Sequence, residues 1–137
     1  MAFKHIVGFD DVETQVFPWG TLTWMNEPRV TGTKNMTSGV VDINVGSGHD
    51  THFHEGREEL FYIISGKGVQ TIDCGNGEII KEDLKPGDVV SIPAGAPHST
   101  FNTSDKEHLV LFAVYQFSGP EAELRAAADS IEPPKNK

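Results

Sequence analysis

Along most of the chain, apolar residues fall at every second position or in short unbroken runs, with glycine or proline between one run and the next. That pattern predicts many short strands and little helix. Val41, Ile43 and Val45 alternate with Asp42 and Asn44, as in a strand with one buried face. Leu60 to Ile64 is apolar at every position, so both faces of that strand should be covered, by a second sheet or by a subunit contact. Gly66-Lys67-Gly68 and Gly75-Asn76-Gly77 read as hairpin turns, with strands over Val69 to Asp73 and Glu78 to Glu82. Pro86-Gly87-Asp88 is a further turn, leading into Val89 to Ile92, and His108 to Phe117 is a long apolar strand. Strands at this spacing predict an all-β sandwich or barrel of two antiparallel sheets.

The ends read differently. Ser118-Gly119-Pro120 followed by Glu121 to Ala128 has the capping residue, early proline and early acids of a short helix. Glu132 to Lys137, with two prolines, is expected to be a frayed tail. The organisation expected is therefore amino-terminal strands over 1–34 that close the barrel or form a dimer contact, the barrel over 35–117, and a short helix and tail over 118–137. The start lacks an apolar stretch of signal-peptide length, and the longest apolar run, Leu109 to Tyr115, is far short of the roughly 20 residues that cross a bilayer. A cytoplasmic protein with no membrane partner is expected.

Composition adds two points. The chain has 137 residues with a net charge of −9, which repels nucleic-acid phosphates and argues against a nucleic-acid partner. It also has six histidines but one cysteine, Cys74, so any metal site must be built from nitrogen and oxygen donors. His52 and His54 are separated by Phe53 in a segment that should be extended, so both are expected to point the same way, about 6–7 Å apart. Glu59 shares a face with Phe61 and Ile63, where a carboxylate costs several kcal/mol unless it is paired or bound to a cation. His98 follows Pro93-Ala94-Gly95-Ala96-Pro97, a turn that positions it at a strand start. Three imidazoles and one carboxylate suit Mn, Fe, Ni, Co or Zn, with positions left open for water or substrate.

The spacing of these residues carries a resemblance. Gly46, His52, His54, Glu59 and Gly66 match the first motif of the cupin superfamily, and Gly87, Pro93, Gly95, His98 and Asn102 match the second, with 20 residues between the two. Each residue type occurs at only about 5–7%, so ten matches at set spacing are not accidental. The resemblance implies a jelly-roll, or double-stranded β-helix, barrel with a short carboxy-terminal helix. It implies one divalent metal held by His52, His54, Glu59 and His98, a small-molecule substrate, and a homodimer that uses the surplus apolar faces. Among family activities, a dioxygenase is the leading expectation. A metal-assisted sugar or organic-acid isomerase or lyase, with Glu58 or His49 as proton carrier, and a non-catalytic small-molecule-binding cupin are the alternatives.

Neighbouring residues have plainer expected roles. Glu58 rivals Glu59 as a ligand, but the six residues separating Glu59 from Gly66 favour Glu59. His49 is expected in a solvent-exposed loop, His5 and His108 on the surface or in ordinary strands, and Arg57 in a surface ion pair with Glu55 or Glu58. Phe17, Trp19 and Trp24 are expected to close the barrel or a dimer interface. Asn102 is read as structural, and Cys74 is assigned no role.

Overall fold

Val41 and Ile43 are buried while Asp42 between them reaches the surface, the alternation that the pattern requires. The structure is a computed structural model that describes residues 2–50 and 56–136. Its strands run β1 (Thr14–Phe17), β2 (Gly20–Asn26), β3 (Met36–Ile43), β4 (Glu59–Ser65), β5 (Gly68–Gly75), β6 (Glu78–Leu84), β7 (Val89–Ile92), β8 (His98–Asn102), β9 (Leu109–Gln116) and β10 (Ser130–Glu132). A one-turn helix α1 (Pro28–Thr31) follows β2, and α2 (Pro120–Ala127) follows β9. The strands form a seven-stranded sheet, ordered β10-β1-β2-β3-β9-β4-β7, and a three-stranded sheet, β6-β5-β8, both antiparallel. This is the jelly-roll arrangement with a short carboxy-terminal helix.

The two walls differ in chemistry. On the large sheet, Leu22, Trp24, Val41, Ile43, Phe61, Ile63, Leu109 and Leu111 turn inward and form most of the core. Each such side chain contributes about 1.5–3 kcal/mol by leaving water. The small sheet instead buries Gln70, His98, Thr100 and Asn102 alongside Ile72. A polar wall therefore faces an apolar one.

Gly75-Asn76-Gly77 is the hairpin expected, joining β5 to β6. Gly66-Lys67-Gly68 is not a hairpin: β4 pairs with β7 and β9, whereas β5 belongs to the other sheet. At Gly66 the chain crosses between sheets with φ of 90°, and a Cβ there would stand 2.3 Å from the His108 carbonyl oxygen. Only glycine permits that approach. The tail also departs from expectation. β10 pairs with β1, and Asn136 bonds through its backbone N–H to the Asp10 carbonyl and through its side chain to Asp11. These are mainly backbone bonds, which leave no mark in a side-chain pattern.

α2 starts at Pro120, one residue after its cap Gly119, and docks on the large sheet. Trp24 Nε1 donates to Gln15 Oε1 at 3.0 Å, and Gln15 Nε2 donates to the Glu121 carbonyl at 3.1 Å, linking core to helix. Leu124 and Ala128 pack against the core. A ring of charges locks this contact: Arg125 meets Glu13 and Glu27 at 2.8 Å each, and Arg29 meets Glu27 at 3.0 Å and Glu13 at 3.1 Å. Glu27 is buried, so it depends on these guanidinium groups. Burial works against ionised Glu13, but its bonds to Arg125 and Arg29 outweigh this and hold its pKa below the ordinary 4.5. A carboxylate with a depressed folded pKa stabilises the fold above its unfolded pKa and loses that contribution as pH falls through the folded value. Arg125→Met should therefore cost about 2 kcal/mol at pH 7. The cost should shrink below pH 4.5, as measured by urea unfolding at pH 7 and pH 3.5.

Candidate metal centre

β4 and β8 enter the site from opposite sheets. Glu59 is the first residue of β4, inward-facing like Phe61 and Ile63, and is 3% exposed. His98 opens β8 and is 1% exposed. The turn before it is closed by the Ala96 N–H bonding to the Pro93 carbonyl at 3.1 Å, and the Asp73 N–H bonds to the Pro97 carbonyl at 2.8 Å. This turn presents the Ala96 carbonyl to His98 Nδ1 at 2.9 Å. Because a carbonyl only accepts, Nδ1 carries a proton, and in the neutral ring it is Nε2 that presents a lone pair. That nitrogen lies 3.6 Å from Glu59 Oε1, beyond hydrogen-bond length and close to the separation of two donors each about 2.1 Å from one ion.

The donor set fits a divalent metal: a buried carboxylate, a buried imidazole whose other nitrogen is fixed by a backbone carbonyl, and a polar wall behind them. Of the four expected ligands, Glu59 and His98 are brought together, while His52 and His54 lie outside the described residues. Burial disfavours the His98 imidazolium, but Glu59 and the Ala96 carbonyl outweigh it and hold the His98 pKa above the ordinary imidazole value in the chain alone. Tyr115 stands opposite Glu59 in the β4–β9 register. Burial first, and then the negative charge of Glu59, push its phenol well above the ordinary range, so it stays a neutral hydroxyl.

A cavity of about 220 Å³ is bounded by Leu22, Val41, Leu111, Leu124 from α2, Phe61, whose ring meets that of His98, and Tyr115, which stands opposite Glu59. Its polar lining among the described residues is His49, Thr100 and Tyr115. Thr100 sits two residues beyond His98 on β8, and its hydroxyl donates to Gln70 Oε1 at 2.5 Å. His49 is not the solvent-exposed loop residue expected. Its N–H bonds to the Thr100 carbonyl at 3.0 Å, and its ring packs on Trp19 with centroids 3.9 Å apart. The sequence reading also missed Tyr115, although alternation along Leu109 to Tyr115 puts it on the face of Leu109 and Leu111.

Other residues take plainer places. Glu58 is exposed on the outer side, where its backbone N–H bonds to Gln116 Oε1 at 3.1 Å. Arg57 donates to the Phe117 carbonyl at 3.3 Å, His108 bonds to Asp42 at 2.5 Å, and Cys74 is exposed. Trp24 is buried in the core.

The family model described as cupin domain matches residues 39–115. This chain belongs to the cupin family. Among relatives, the cupin is 28% identical over 97 residues to the protein named "Probable oxalate decarboxylase" from Arthroderma benhamiae, covering 71% of this chain and 24% of that one. It is 31% identical over 62 residues to acireductone dioxygenase of Bacillus cereus, covering 45% of this chain and 36% of the dioxygenase. The chain thus spans about a quarter and about a third of these two proteins. A structure of Bacillus subtilis oxalate decarboxylase superposes with a TM-score of 0.73 at 22% identity, over 88% of this chain and 31% of that chain. The structure of KdgF from Halomonas sp. superposes with a TM-score of 0.70 at 18% identity, over 86% of this chain and 99% of that chain. Both structural likenesses are likenesses of fold. No helix among the described residues is long and apolar enough to cross a membrane.

Asn102, the last motif residue, is a structural pin. Its amide nitrogen donates to the carbonyls of Ile43 and Asn44 at 3.1 Å and of Glu107 at 2.8 Å, and its oxygen accepts from the Ser104 N–H at 2.9 Å. Asn102→Ala would strip a donor from three carbonyls and should cost about 2–3 kcal/mol. Asn102→Asp would set a carboxylate against the same carbonyls and should cost more, which comparative denaturant unfolding would register.

Proposed function

We propose that this cupin holds one divalent transition metal, Mn, Fe, Ni, Co or Zn, on His52, His54, Glu59 and His98, and acts as a dioxygenase on a small oxygenated organic molecule. The observation that carries the reading is the Glu59–His98 pair, a carboxylate and an imidazole nitrogen 3.6 Å apart and almost wholly buried in an apolar barrel. Similarity to acireductone dioxygenase over 62 residues supports the reaction class. When bound, the metal would polarise substrate oxygens and, as Fe or Mn, support chemistry with O2.

The chain's own groups have separable parts in this reading. Glu59 supplies one negative charge against the cation, and Ala96 fixes the His98 ring so that Nε2 faces the centre. Tyr115, kept neutral, retains a hydroxyl proton to donate. The leucines and Phe61 keep the cavity poor in water, which strengthens each polar contact made inside it. A second reading, an isomerase or lyase, draws support from His49, which lines the cavity while the rival proton carrier Glu58 faces outward. Air-independent turnover would favour it.

The proposal extends to assembly as a homodimer. β4 turns Leu60, Tyr62 and Ile64 outward at 40%, 46% and 46% exposure, and Val89 on neighbouring β7 is exposed beside them. This gives the doubly apolar strand one face in the core and one face for a second copy.

Metal analysis of the wild-type chain should find about one equivalent, and His52→Ala or His98→Ala should lose most of it. Adding Mn or Fe to chelator-treated protein should raise Tm by at least about 5 °C. The loaded protein should consume O2 only when substrate is present. Sedimentation should report a dimer that becomes a monomer on combining Tyr62→Lys with Ile64→Lys, without loss of the metal-induced rise in Tm.

A further inference from the structure

The cavity has a composition that restricts its ligand more closely than the reaction class does. Five of its described lining residues are aliphatic, Leu22, Val41, Ile43, Leu111 and Leu124, and the ring of Phe61 completes the apolar wall on the β4 side. No lysine or arginine lines it among the described residues. Arg57 is committed to the Phe117 carbonyl, and Arg125 to Glu13 and Glu27. The stretch 51–55, Thr-His-Phe-His-Glu, contains no lysine or arginine either. The hydroxyl of Thr100 is already donating to Gln70, which leaves a ligand mainly its acceptor lone pairs.

From this we infer that the ligand is a compact molecule with an oxygenated head carrying at most one negative charge and a branched apolar body, and that Leu124 on α2 selects for that body. The inference rests on the metal reading of the same site for its account of the head. With neutral imidazoles, a divalent ion beside Glu59 leaves one net positive charge, which a single carboxylate neutralises. A second carboxylate would find no lysine or arginine among the described lining, only His49, Thr100 and Tyr115 set among Leu, Ile and Val, so it would bind at a cost. At interior packing density the cavity accommodates roughly ten non-hydrogen atoms. The sheet residues form a fixed wall, whereas Leu124 comes from a helix docked from outside, so its size alters the cavity with the least disturbance of the barrel.

The probes are 2-oxo acids with one head and varied bodies: pyruvate, 2-oxobutanoate, 4-methyl-2-oxopentanoate and 2-oxoglutarate. Their binding to the Mn(II)-loaded full chain is measured by calorimetry. Affinity should rise about fourfold per buried methylene, making 4-methyl-2-oxopentanoate at least about tenfold tighter than pyruvate. The dianion 2-oxoglutarate should bind most weakly. Leu124→Asn should erase most of the gain from the body while pyruvate binding changes less than about twofold. Leu124→Trp, which fills the cavity, should exclude the branched acid and retain pyruvate, so a folding defect in one variant does not decide the matter. A flat series, or 2-oxoglutarate binding tightest, overturns the inference even if binding needs Mn(II). If the series holds equally in chelator-treated protein, the apolar-body inference is supported and the metal reading is overturned.

Discussion

A carboxylate taken out of water inside a barrel of Leu, Ile and Val is the constraint around which this molecule is arranged. Glu59 is 3% exposed, and an ionised group in that position demands positive charge or strong hydrogen-bond donors nearby. The fold brings His98 to it from the opposite sheet, and the turn before β8 sets the ring by offering the Ala96 carbonyl to Nδ1. Remove that turn and the imidazole loses the bond that decides which nitrogen faces Glu59. The pairing β3-β9-β4 holds the other half of the site, with Tyr115 across from Glu59 and kept neutral by the same burial and charge.

Around this centre the two sheets divide the work. The large sheet supplies apolar surface, and with it most of the core and the apolar wall of the cavity. The small sheet supplies buried polar groups that bond to one another, such as Thr100 to Gln70, or to loop carbonyls, as Asn102 does. The amino-terminal strands and α2 complete the enclosure. The charge ring of Glu13, Glu27, Arg29 and Arg125 holds the helix where Leu124 becomes part of the cavity wall. An ion-pair network at the edge thereby helps set the shape of a pocket in the middle.

Much of this was legible in the sequence because side-chain alternation and turn residues leave marks there. Val41 and Ile43, the Gly75-Asn76-Gly77 hairpin, the β9 run and the proline-initiated helix all appear where their patterns put them. The Glu59–His98 encounter was legible for a different reason, the fixed motif spacing, since the residues stand far apart in the chain and on different sheets. What stayed hidden involves the backbone or long-range packing. The crossing at Gly66 looks like a hairpin because a sharp glycine turn has the same composition whether its strands pair or part. β10 has no apolar face to announce it, and its contact with β1 is made by backbone bonds. His49 reads as a loop residue until the packing of its ring on Trp19 and the bond to Thr100 are known.

The central claim, one metal shared by both sheets, is tested most directly by anomalous diffraction from crystals of Mn(II)-loaded protein, collected on either side of the manganese edge. The expected result is one anomalous peak per chain, about 2.0–2.3 Å from both His98 Nε2 and a Glu59 carboxylate oxygen, with His52 and His54 also in contact. No peak between those residues, or a peak only at surface carboxylates, would contradict it.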